Sequence, residues 1–174
     1  MIKSSPNSIK LSNEERIIID MMRCFPTSEK MLIKICENFP HLSLIEEPLR
    51  RVLALFRRTD PNLVELYPAE ELSVSIFELQ ILYAIAGVRA DDPEVVHNLL
   101  SQWLPRGTLA TGLALIANIA RILDDIGMPA FSATHLRSQI KSLALYRLKK
   151  QGYAILDKKP AKNTLVHPTS RTLH

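Results

Sequence analysis

SIFELQILYAIAGV, residues 75–88, and TLATGLALIANIARILDDI, residues 108–126, are the stretches whose reading decides the fold. From 76 to 88 the only polar side chains are Glu78, Gln80 and the Tyr83 hydroxyl. A helix apolar on nearly every side needs protein around it. In the second run, placed at about 100° per residue, Thr111, Asn118, Arg121 and Asp125 fall on one narrow strip. Apart from Thr108 and Asp124 the rest of that run is apolar, and Ala110, Gly112, Ala114, Ala117 and Ala120 keep the helix slim enough for a neighbour to come close. The expectation is an all-α fold. It is a compact bundle of about seven helices, with two central, mostly buried helices (about 76–88 and 108–126) wrapped by amphipathic ones.

Working outward, capping signals mark the other helices. Ser12 and Glu15 form an S-x-x-E capping box before ERIIIDMMRCF, Ser43 and Glu46 a second, and Ser75 and Glu78 a third. Thr27 or Ser28 caps MLIKICENF, which stops before Pro40. Pro48 falls early in the third helix, so its start is expected at Ser43 or nearer Glu47, and Asp60-Pro61 ends it. Asp92 with Pro93 opens a helix through EVVHNLLSQWL that stops at Pro105. Gly127 ends the helix of 108–126, and Ser132 or Thr134 opens a last one reaching Lys150. Strand signals are nearly absent, and no internal repeat is seen.

A chain of 174 residues suits one domain and can bury a core without disulfides. Residues 1–11 read as an N-terminal extension, 12–152 as a single helical domain with a sub-boundary candidate at 59–72, and 153–174 as a basic, flexible tail. MIKSSPNSIK lacks the apolar stretch of a signal peptide, and no run of about 18 apolar residues is present, so no membrane span is expected. LATGLALIANIARIL comes nearest, but holds Asn118 and Arg121 and reads as a core helix. Cys24 and Cys36 lie in apolar helical runs and read as small hydrophobes of a protein in a reducing cytoplasm.

No motif specifies a reaction, so catalytic residues, cofactors and metals are not expected. Glu94-x-x-His97 puts two ligand types on one helical face, but a di-iron bundle needs a second copy and two further glutamates, which the sequence lacks. Neither a nucleophile elbow nor a phosphate-cradling glycine loop occurs. Arg50 and Arg51 follow Glu46 and Glu47 by four residues, as solvated ion pairs do, while Leu49, Val52, Leu53 and Phe56 make the buried face.

Charge is unevenly spread. Residues 132–174 carry nine basic side chains against Asp157 alone, a net +8, in a chain whose total is +4. Residues 41–104 hold ten acidic against five basic groups. Arg137, Lys141, Arg147, Lys149, Lys150, Lys158, Lys159 and Lys162 are therefore candidate polyanion contacts. A tail that only solubilises, or one that folds back on the acidic middle, explains the same charges. The function expected is a non-catalytic helical interaction or regulatory protein with a protein partner. Two alternatives stand beside it: a nucleic-acid-binding regulator using the basic C-terminal region, and a bundle with a small-molecule pocket near Tyr83, Trp103 or Asn118. A homo-oligomer is left open.

Overall fold

A computed structural model describes residues 9–150, with side chains through Leu148. The basic tail expected at 153–174, with Lys158, Lys159 and Lys162, lies outside the described residues. Within them are seven α-helices, a short 3-10 turn and no strand: α1 (Asn13–Thr27), α2 (Glu29–Asn38), the turn Pro40–Leu42, α3 (Ser43–Thr59), α4 (Ile76–Arg89), α5 (Pro93–Leu100), α6 (Arg106–Asp125) and α7 (Ala133–Lys150).

Two of the three capping boxes form. The Ser12 Oγ accepts from the Glu15 N–H at 3.1 Å while the Ser12 N–H donates to the Glu15 carboxylate at 2.8 Å. Ser75 and Glu78 repeat the exchange at 3.0 and 2.8 Å. The box expected at Ser43 does not form. The 3-10 turn feeds straight into α3, so Ser43 is already helical and its hydroxyl donates back to the Pro40 carbonyl at 2.7 Å. Glu46 is thereby released to pair with Arg50. Pro48 neither delays nor breaks α3. Ser28, rather than Thr27, caps α2. Asp92 caps α5, as its side chain accepts from the Val95 N–H.

The α5 helix stops at Leu100, four residues short of the expected end. Pro105 disfavours helical geometry at the residue before it. The chain instead turns so that Trp103 joins Phe56 and Phe77, with ring centroids 5.5 and 5.7 Å away. Gly127 adopts φ of +69°, the left-handed conformation that ends α6.

One hydrophobic core runs through all seven helices, from Ile18 and Met22 through Leu49, Phe56 and Ile81 to Ile116, Leu123 and Leu136. At its centre α4 is enclosed by α1, α5, α6 and α7, and nine of its fourteen residues are buried. The other central helix differs from expectation. α6 packs on α3, α4 and α5 through Gly112, Ile116, Ile119, Ala120 and Leu123, but Ala110, Thr111, Ala114, Ala117 and Arg121 face solvent. Among the described residues no element covers that side, so its burial there is one-sided. By length and composition α6 could also cross a membrane, but its apolar edge here packs on the other helices.

Close approach at α6 depends on Gly112, where an added Cβ would overlap the Leu104 Cδ1. Gly112→Val is expected to lower stability by about 1–3 kcal/mol through overpacking, read as a fall in the urea midpoint. A midpoint unchanged from the parent chain would contradict the tight contact between α6 and Leu104.

Candidate functional site

Three arginines that composition alone would assign to the surface are used inside the fold. Arg23 of α1 and Glu78 of α4 have fully buried side chains and pair at 2.6 and 2.9 Å. The other Arg23 N–H groups donate to the carbonyls of Pro68 (3.3 Å), Glu71 (2.6 Å) and Ser73 (2.6 Å). The Glu78 carboxylate also accepts from the Tyr67 and Ser75 N–H groups. All five guanidinium donors are thus engaged, and both carboxylate oxygens accept twice. The network binds the 60–75 connection to the core, so the stretch expected as a sub-boundary is tied to both α1 and α4. A single carboxylate in an otherwise apolar α4 was its only sequence signal.

Arg89 acts similarly at the other end of α4. Its guanidinium donates to Asp124 at 2.7 Å, to the Pro129 carbonyl at 2.9 Å and to the Met128 carbonyl, and it lies over the Phe131 ring. Arg147, among the candidate polyanion contacts, donates instead to Glu65 at 2.8 Å and to the Tyr67 hydroxyl at 3.0 Å. That pairing removes Arg147 from a free cationic face. Arg137 and Lys141 are exposed one turn apart on α7. Lys149 and Lys150 continue the same helix, but their side chains are outside the described region.

Of the other residues marked in the sequence, Glu94 and His97 are both exposed on α5, and among the described residues no three His, Cys, Asp or Glu side chains gather into a metal-sized cluster. His135 contacts the Lys10 carbonyl through Nε2 at 2.7 Å. Arg50 and Arg51 pair with Glu46 and Glu47 at 2.8 and 2.7 Å. Arg121, Asn118 and Asp125 are linked along the exposed strip of α6. Burial raises the thiol pKa values of Cys24 and Cys36 above the ordinary range, which disfavours the reactive thiolate at neutral pH.

Burial also raises the Asp20 carboxyl pKa, against the lowering pull of Arg16 and Arg23 and with a further push from Glu78. A raised folded pKa means that this group's contribution is favourable below the unfolded value and is lost as pH rises through the folded value. Asp20→Asn is therefore expected to raise the melting temperature at neutral pH, with the difference closing as pH falls through the carboxylate range. A lower melting temperature for the variant at neutral pH would reverse that assignment.

Two grooves lie beside α2. A groove of about 470 Å³ is lined by Leu32, Ile33, Cys36 and Pro40, with Glu29, Glu37 and Glu46 as its charged side chains. A second, of about 310 Å³, lies across Pro40 and is lined by Ile17, Phe39, His41, Leu42, Ile126 and Met128 among others. Ile33 and Phe39 in these linings are 50% and 46% exposed, and Leu44 at the start of α3 is 58% exposed. Helix α2 produces this face by turning Leu32 into the core while Glu29, Ile33 and Glu37 point outward. Neither of these two grooves is lined by Tyr83, Trp103 or Asn118, the residues named for the alternative reading of a small-molecule pocket.

No protein-family model, curated protein or solved structure matches this chain.

Proposed function

We propose that the protein is a non-catalytic helical interaction protein whose binding face is the surface of α2, the 3-10 turn and the start of α3. The observation that carries this reading is the exposure of Ile33 and Phe39, each of which lines one of the two grooves. Large side chains left in water next to concave apolar surface are the usual material of a protein-binding patch. The internal commitment of Arg23, Arg89 and Arg147 supports the same reading, since it spends those cations on scaffold rather than on chemistry.

The test is selection of binding peptides from a random library, followed by titration against Ile33→Asp/Phe39→Asp. Both positions are exposed, so the melting temperature should change little while peptide affinity falls at least roughly tenfold. Peptides that bind parent and variant equally would refute this face.

A second reading rests on Arg137 and Lys141, exposed one turn apart on α7. A nucleic acid bound there would be held mainly through phosphates, so affinity for a random duplex would fall steeply with salt and drop in Arg137→Glu/Lys141→Glu. Salt-independent binding, or none at low salt, would eliminate it.

A further inference from the structure

The attachment of α7 to the rest of the fold is uneven along its length. At its start Leu136 is fully buried, and the His135 Nε2 meets the Lys10 carbonyl at 2.7 Å. Farther along, Ile140 and Leu143 are only half-buried against the core, and Leu145, Tyr146 and Leu148 are exposed. Among the described residues, Arg147 makes the only side-chain hydrogen bonds from the last turns of α7 to another element: its Nη2 donates to both the Glu65 carboxylate and the Tyr67 hydroxyl. Both acceptors are fixed from the other side. The Ser75 hydroxyl donates to the Glu65 carbonyl, the Tyr67 N–H donates to Glu78, and the Arg23 guanidinium lies 5.9 Å from the Tyr67 ring centroid. Tyr67 is thus where the buried network and the end of α7 meet. The network is enclosed, whereas the two side chains of the Arg147–Glu65 pair are 34% and 42% exposed, so water and salt reach them.

We infer that the last turns of α7, residues 141–148, form a segment that opens by itself, with Arg147 as its fastener and the Glu65–Tyr67 stretch as the fixed seat. Buried apolar contact is what ties an element to global unfolding, and along α7 it fades after Ile140. What remains is a partly exposed ion pair, which is weak and screened by salt, and a hydrogen bond to a charged group. The segment therefore separates for little free energy. The start of α7 stays held by Leu136, and the connection stays held by Arg23 and Glu78. Opening uncovers Leu143 and the part of the core on which it rests, and it frees Arg147 from its internal acceptors. Because the fastener is ionic, salt sets how often the segment is open. This device is independent of the α2–α3 binding face.

The experiment is amide hydrogen exchange of the full chain, with protection compared over 141–148, 133–140 and α1, in the parent, Arg147→Met and Glu65→Gln/Tyr67→Phe. Methionine is nearly as good a helix former as arginine, so the first variant removes the fastener without weakening the helix itself. In Arg147→Met, protection of 141–148 should fall about three- to tenfold, while 133–140 and α1 keep the parental values. The Glu65→Gln/Tyr67→Phe variant changes nothing in α7, yet it should lower protection of the same amides by a similar factor. Combined with Arg147→Met it should add nothing further, since both remove one interaction. Raising salt from about 50 to about 500 mM should lower protection of 141–148 in the parent but not in Arg147→Met. The proposal is overturned if 141–148 keeps its protection in Arg147→Met, if the connection-side variant adds to Arg147→Met as an independent change would, or if salt has no effect on the parent. Exchange of 141–148 only in step with α1 would also overturn it, because α7 would then belong to a single cooperative unit.

Discussion

Arg23→Met is expected to cost about 3–5 kcal/mol of folding stability, because it leaves the Glu78 carboxylate buried without its cation. That is a large share of the roughly 5–15 kcal/mol by which a domain is stable. The loss extends beyond the ion pair. The carbonyls of Glu71 and Ser73 lose their donors, that of Pro68 keeps only the Glu71 N–H, and the connection between α3 and α4 loses its tie to α1. The double variant Arg23→Met/Glu78→Leu separates the two effects. Where a buried pair stands alone, apolar replacement of both partners is often neutral. Here the double variant should remain destabilised, since the Tyr67 and Ser75 N–H groups and the Glu71 and Ser73 carbonyls would be orphaned. Urea unfolding measures the stabilities, and hydrogen exchange should show residues 60–75 opening first. Near-parental stability of the double variant would show that the network does not anchor the connection.

Ile116→Asp is expected to cost several kcal/mol, enough to leave little folded protein at 37 °C. Ile116 is 0% exposed on the inner edge of α6, in the same core as Ile81, Leu82, Ile85 and Leu123. A carboxylate there finds no cation among the buried groups, because Arg23 is fully engaged by Glu78 and the connection. Ala114→Asp, two residues away on the exposed edge, should change stability by no more than about 0.5 kcal/mol. The contrast between these two thermal melts tests the one-sided burial of α6 directly. Equal effects would mean that the inner and outer edges are wrongly assigned.

Much of the fold was legible because helix signals are local. A capping box operates over four residues, so Ser12 with Glu15 and Ser75 with Glu78 could be read directly. Asp92-Pro93 and Gly127 were legible for the same reason. The Ser43 box was misread because its outcome depends on the conformation of the preceding residues, and the Pro40–Leu42 turn had already begun helical geometry. The end of α5 was misread because Trp103 gains more from Phe56 and Phe77, distant in sequence, than from another helical turn.

The sequence by itself determined that the chain is helical, where most of the helices start and stop, and that 76–88 is enclosed, since an almost uniformly apolar helix has no favourable side to offer water. It also determined the solvated pairs Arg50–Glu46 and Arg51–Glu47, which require only a shared helix. Tertiary structure alone decided which charges are buried and which surfaces are left uncovered. Arg23 meets Glu78 across 55 residues and Arg147 meets Glu65 across 82. The exposed side of α6 and the groove at α2 depend on which helices pack beside them. A charged or apolar side chain has the same composition whether it is buried or solvated. Its environment is set by elements distant in sequence, and no local pattern records which of them arrive.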